Sequence, residues 1–139
     1  MDKNNSVLQG NGELFRSKKK IKLYTLIVKP NFGCSTEKTY KNIKTFSKPA
    51  LNGNNMKKFG IKTLINLKND LEEVAFKNYP ILISIKRNMA NLPKVIFVRM
   101  TGSGSSIIGY FDSKKASLIA AKILKRKYKN YWCIISKTI

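Results

Sequence analysis

The stretch from Val95 to Leu124 leaves this chain few ways to fold. Val95-Ile96-Phe97-Val98-Arg99-Met100 is β-branched and aromatic and reads as a strand. Ile107-Ile108-Gly109-Tyr110-Phe111 reads as another. The segment between them, Thr101-Gly102-Ser103-Gly104-Ser105-Ser106, is a tight loop. Asp112 or Ser113 then caps an amphipathic helix, whose apolar face is Ala116, Ile119, Ala120, Ile123 and Leu124 at helical spacing. Lys122, Lys125, Arg126, Lys127 and Lys129 crowd its last turns, where cations suit the helix dipole. Tyr131 to Ile135 reads as a final strand. The loop itself has two readings. Gly and Ser are ordinary hairpin-turn residues. Glycine also permits positive φ and close backbone approach, and successive N–H groups in such a loop can form a concave anion site.

Upstream, Ile21 to Lys29 alternates with period two and predicts a strand with positions 21, 23, 25 and 27 on one face. Pro30-Asn31-Phe32-Gly33 ends it, and the hydroxyls of Ser35 and Thr36 start a short helix reaching about Ile43. Residues 7–16 read as a short strand and a Gly-punctuated turn, and residues 44–60 as a loop. Asn69 can cap a helix, with Glu72 three residues later where a capping-box acid belongs, and Leu71, Val74 and Ala75 facing inward. Pro80 breaks or restarts that helix. Ile81, Leu82, Ile85 and Met89 mark one face of the next, and Pro93 closes it. The order strand, helices, strand, strand, helix, strand is the split βαβ, ferredoxin-like arrangement. The expected fold class is therefore α+β, an antiparallel sheet with helices on one face. At 139 residues, one domain over 1–139 is the natural expectation.

Composition narrows the chemistry. Histidine is absent, which removes His-based triads, His general bases and His-containing zinc sites. No metal site is expected within the chain. Cys34 and Cys133 stand without a Cys-x-x-Cys partner, as in a reducing compartment. A run of about 18 apolar residues, as a membrane span requires, is missing, and so is the apolar core of a signal peptide. A cytoplasmic location follows as the default. The net charge of +21 attracts polyanions non-specifically. Yet the basic residues are nearly all lysine, with arginine only at 16, 87, 99 and 126, and abundant Asn and Ile accompany them, as an AT-rich coding genome would produce. A solvated or compositional origin and a polyanion-binding role both stay open. The second would make this a basic ferredoxin-like nucleic-acid module with Phe97, Tyr110 and Phe111 on its strands, although no RNP-like segment is present.

Four segments in order resemble one family. They are Leu8-Gln9-Gly10-Asn11-Gly12-Glu13, Val28-Lys29-Pro30-Asn31-Phe32-Gly33-Cys34-Ser35-Thr36, Asn69-Asp70-Leu71-Glu72 and Met100-Thr101-Gly102-Ser103-Gly104-Ser105. Together they are similar to the C-terminal part of the 4-diphosphocytidyl-2-C-methyl-D-erythritol kinases, a branch of the GHMP kinases (galactokinase, homoserine kinase, mevalonate kinase, phosphomevalonate kinase). The resemblance implies a ferredoxin-like domain. It implies phosphorylation of the 2-hydroxyl of a cytidyl-diphosphate-linked methylerythritol, with ATP and Mg²⁺, in non-mevalonate isoprenoid biosynthesis. The family's main ATP-phosphate loop, its catalytic aspartate segment and the lysine that works with it have no match here. Asp2, Asp70 and Asp112 stand in other contexts. The expectation is that the catalytic Asp and Lys lie upstream, in a missing N-terminal kinase domain. The isolated chain is then expected to be inactive: a fragment, a half-gene product or a truncated gene model, with an inactive regulatory or dimerising remnant as a further reading.

The same resemblance implies the site residues. Thr36, at the helix start, would contact the substrate, and Tyr40, one turn later on the same face, would stack on its cytosine. Gly102, Ser103 and Gly104 would line the site beside the phosphates. The plainer readings are an N-cap for Thr36, half-buried packing for Tyr40 and a hairpin turn for the loop. Asn69 and Glu72 read as structural caps, and Glu13 as either structural or an interface bridge. Cys34 sits where a helix start favours a thiolate, or is an incidental small residue.

Overall fold

A computed structural model describes residues 5–8, 14–17, 21–48 and 60–138. Its elements in chain order are β1 (Asn5–Leu8), β2 (Leu14–Ser17), β3 (Tyr24–Lys29), α1 (Thr36–Lys41), α2 (Ile61–Asn66), α3 (Asp70–Asn78), α4 (Ile81–Ala90), β4 (Val95–Met100), β5 (Ile107–Phe111), α5 (Lys114–Lys127) and β6 (Trp132–Lys137). They fall into two compact units. In the smaller, Met1–Lys22 with Ser47–Lys68, β1 and β2 form an antiparallel hairpin with Leu8 opposite Leu14. The predicted turn at Gly10 and Gly12, with Glu13, lies outside the described residues, as does most of the predicted loop. The sequence reading assigns nothing to 61–66, where the structure has α2. Six residues are too few for periodicity to register.

The larger unit, Leu23–Phe46 with Asn69–Thr138, holds a four-stranded sheet in the order β4-β5-β3-β6. All its pairings are antiparallel. With α1, α3 and α4 between β3 and β4, and α5 between β5 and β6, this is the expected ferredoxin-like βαββαβ arrangement. The core lies between the sheet and the helices. Leu26 and Val28 of β3, Ile107 and Phe111 of β5, and Met100 of β4 meet Leu82, Ile85 and Met89 of α4 and Ala120 and Leu124 of α5. Pro80 stands where α3 stops and α4 begins, as its ring requires.

Three predicted faces shift. On β3 the core cluster takes Leu26 and Val28 with Tyr24 against it; of the odd set, Ile21, Leu23 and Thr25 are also buried but outside that cluster, and Ile27 is only half-buried. The strand begins at Tyr24, and its even residues stand opposite Phe111, Gly109 and Ile107, the inward set of β5. On α4, Ile81 is exposed and only Leu82, Ile85 and Met89 turn in. On α5 the buried residues are Ala116, Ser117, Ala120, Ala121 and Leu124, whereas Ile119 and Ile123 are exposed. Small residues let this helix lie close to the sheet, and the isoleucines stay outside.

Neighbouring positions on α5 should therefore respond very differently. Leu124→Ala is expected to cost about 2–5 kcal/mol, as for other fully buried leucines. Ile123→Ala, at an exposed position, should stay within about 1 kcal/mol of wild type. Urea unfolding followed by circular dichroism measures both, and equal losses would contradict the observed face.

Candidate functional site

The site is built where two chain segments emerge from the same end of the larger unit's sheet. Val28 of β3 pairs with Ile107 of β5, so the segment leaving β3 and the loop entering β5 are adjacent. The first, residues 30–35, leads into α1. Ser35 is the N-cap, its Oγ accepting from Lys38 N at 3.3 Å. Thr36 is the first helical residue, so its hydroxyl is not needed for capping. The second is the glycine loop, closed at its base by Thr101 N–H donating to Ser106 O at 2.9 Å, with Gly104 N–H donating to Thr101 O at 3.2 Å. Gly102 has φ +54° and Gly104 φ +101°, conformations that favour glycine.

Side chains join the two segments. Thr36 Oγ1 and Ser103 Oγ lie 3.0 Å apart and share a hydrogen bond. Ser105 is buried, and its Oγ donates to Phe32 O at 2.7 Å. The rings of Phe32 and Tyr79 stack at 5.5 Å, and Ser35 N–H donates to the Tyr79 hydroxyl at 3.5 Å. A Cβ at Gly104 would come within 2.7 Å of Cys34 Sγ, so glycine is required there by space as well as by φ. Tyr40, one turn beyond Thr36, is 54% exposed, with its ring toward solvent. The structure thus brings Thr36 together with Ser103 in the glycine loop and leaves the Tyr40 ring open at the helix surface. Sequence reasoning missed Ser105 and Tyr79, because their partners are distant in the chain and no local pattern marks them.

Asn69 and Glu72 divide differently from expectation. Asn69 does cap α3, its Oδ1 accepting from Leu71 N at 3.1 Å. Glu72 does not complete a capping box. Its Oε2 accepts from Met100 N at 3.0 Å, and its Oε1 pairs with Lys86 Nζ. Asn69 Nδ2 donates to both Met100 O at 3.0 Å and Gly102 O at 2.9 Å.

Burial pushes the Cys34 thiol above its ordinary range, so the thiolate that a helix start would favour is disfavoured here. Burial raises Cys133 likewise, with Lys125 pulling the other way. Among the described residues no group of three or more His, Cys, Asp or Glu is placed to hold a metal ion. A cleft of about 360 Å³ opens at the other end of α1, lined by Ile43, Lys44, Asp70, Glu73 and Lys77 among others, and neither Thr36 nor the glycine loop lines it. Of the strand aromatics, Phe111 is fully buried in the core. Phe97 and Tyr110 stack on each other at 4.2 Å on the opposite face of the sheet, beside Arg99.

Comparison with known proteins places this geometry in a lineage. The family profile described as GHMP kinases C terminal matches residues 47–130. The chain belongs to the GHMP kinases, as a domain of their C-terminal type. Its sequence is 52% identical over 134 residues to the 4-diphosphocytidyl-2-C-methyl-D-erythritol kinase of Pelagibacter ubique, covering 96% of this chain and 48% of that protein. The enzyme of the same name from Clostridium botulinum is 34% identical, over 96% of this chain and 49% of that protein. The chain thus spans about half the length of the curated relatives it matches. A crystal structure of 4-(cytidine 5'-diphospho)-2C-methyl-D-erythritol kinase superposes with a TM-score of 0.63 at 22% identity, over 91% of this chain and 47% of that one. Homoserine kinase from Cytophaga hutchinsonii superposes at 0.67 and 12% identity, over 96% and 47%. At those identities the two structures speak for the fold.

Two outcomes follow. Gly104→Ala should destabilise strongly, and Cys34→Ala should restore part of the loss, with a coupling of about 1 kcal/mol or more in a double-mutant cycle. Simple additivity would mean that the two residues do not press on each other. In a Cys133→Ser background, alkylation of Cys34 by iodoacetamide should still be accelerating at a pH where an exposed thiol has levelled off. The neutral thiol is the form that burial favours, so an early plateau would contradict the buried environment.

Proposed function

We propose that this chain is the substrate-facing C-terminal half of an ATP-dependent kinase. Its reaction is transfer of phosphate to the 2-hydroxyl of cytidyl-diphosphate-linked methylerythritol, in non-mevalonate isoprenoid biosynthesis. The observation that carries the reading is the Thr36–Ser103 contact, which joins the start of α1 to the glycine loop in one small polar site. The names of the relatives, matched over nearly the whole chain, support the substrate class. On this reading the Tyr40 ring stacks on the cytosine, the Thr36 hydroxyl faces the substrate, and Gly102, Ser103 and Gly104 border its phosphates. The loop is suited to that task. Its glycines let backbone approach an anion closely, and the strongly basic chain favours phosphate ligands generally.

ATP supplies the transferred phosphoryl group, with Mg²⁺ to neutralise charge. The main phosphate loop, the catalytic aspartate and lysine and the metal ligands would come from an N-terminal kinase half. This chain's part is recognition and orientation of the acceptor. Among the described residues no helix is long and apolar enough to cross a membrane. The proposed place of work is the cytoplasm. Nucleic acid enters only as a non-specific polyanion, whose binding would fall steeply with salt.

The test is to combine this chain with the N-terminal half of the Pelagibacter ubique relative and to follow ADP release. The pair should phosphorylate the cytidyl substrate, and the chain alone should not. Tyr40→Ala should weaken the substrate by about 1–3 kcal/mol, the range for base–aromatic stacking, read as a raised KM with kcat little changed. Equal use of methylerythritol phosphates that lack the cytidyl group would overturn the substrate assignment.

A further inference from the structure

Met100 ends β4, and β4 is an edge of the sheet. Thr101 N–H donates to Ser106 O at 2.9 Å, which makes these two the hydrogen-bonded pair at the mouth of the loop. In an antiparallel ladder the neighbouring residue is then turned outward, so the N–H and C=O of Met100 point off the free edge. Side chains from the start of α3 take both. Met100 N–H donates to Glu72 Oε2, and Asn69 Nδ2 donates to Met100 O. The same Asn69 amide reaches Gly102 O at 2.9 Å, straddling Thr101. Glu72 is held in turn by Lys86 of α4, and its side chain is only 16% exposed.

Capping α3 needs only Asn69 Oδ1. The two donor bonds from Nδ2, and the carboxylate of Glu72 on Met100, do nothing for the helix. We infer that Asn69 and Glu72 are positioning residues for the glycine loop: they act through Met100 and Gly102 to set where Ser103 and Gly104 stand. Resting on the kinase reading above, the clamp fixes the loop against the acceptor's phosphates, where small displacements slow transfer sharply.

The cap and the clamp can be separated. Asn69→Asp keeps the capping oxygen but has no donor, and its carboxylate would face two carbonyl oxygens. Asn69→Ser keeps a cap and has no amide to bridge the carbonyls. Glu72→Leu removes the acceptor for Met100 N–H. Amide hydrogen exchange on the whole chain reads the loop directly, at Thr101 and Gly104, with α5 as the internal control. Loop exchange is expected to rise tenfold or more in all three variants while α5 stays as in wild type. In the kinase assembled with the Pelagibacter ubique N-terminal half, kcat should fall on the order of 10- to 100-fold, with KM for the cytidyl substrate within about threefold. Wild-type loop exchange in both Asn69 variants would overturn the clamp. A loosened loop with unchanged kcat would overturn its role in positioning. A wild-type assembly without activity would sink the kinase reading and the catalytic half of this inference with it, while exchange still decides whether the clamp exists.

Discussion

The register between β3 and β5 is the constraint on which the rest of the larger unit depends. With Val28 opposite Ile107 and Leu26 opposite Gly109, the inward residues of both strands fall on one face and make the core. The same register brings the exit of β3 beside the entry to β5, so residues 30–36 and 101–106 are neighbours before any side chain joins them. A slip of one residue would turn Leu26 and Val28 away from the helices and draw the two segments apart. Core and site therefore share one determinant, and a change that disturbs the first also disturbs the second.

On that base the site is assembled from weak parts. A single intramolecular hydrogen bond contributes about 1 kcal/mol net, so no one contact defines the loop. Thr36, Asn69 and Glu72 reach it or its flanks from separate segments, Ser105 reaches out of it to Phe32 O, and Tyr79 braces the approach to α1 through Phe32 and Ser35. Two positive-φ glycines give the turn its shape, and at Gly104 the sulfur of Cys34 leaves no room for a side chain.

The strands and most helix starts were legible because their signals are local. β4 and β5 run over the residues that their β-branched composition indicates, and Ser113, Ser35 and Asn69 cap as their hydroxyls and amide suggest. The face of α5 was legible only in part: Ala116, Ala120 and Leu124 are buried as read, but Ile119 and Ile123 are not. Ile119 and Ile123 are more apolar than Ala116 and Ser117, so hydrophobicity points the wrong way, and only the closeness of the sheet selects the small residues. Of the candidate site, Thr36 and the glycine loop could be read separately, but their meeting depends on a pairing many residues apart. Glu72 shows the same limit in miniature. An acid three residues after a cap looks identical in sequence whether it turns back to the helix or out to a strand, and here it turns out.

The closure of β4 at Met100 also bears on self-association. An edge strand with unpaired N–H and C=O groups is a template on which another chain can add a strand. Because Asn69 and Glu72 occupy both backbone groups of Met100, a strand growing along that edge would meet a helix start where the ladder should continue. The residues that hold the loop in place thereby also blunt the Met100 end of this edge strand against strand addition.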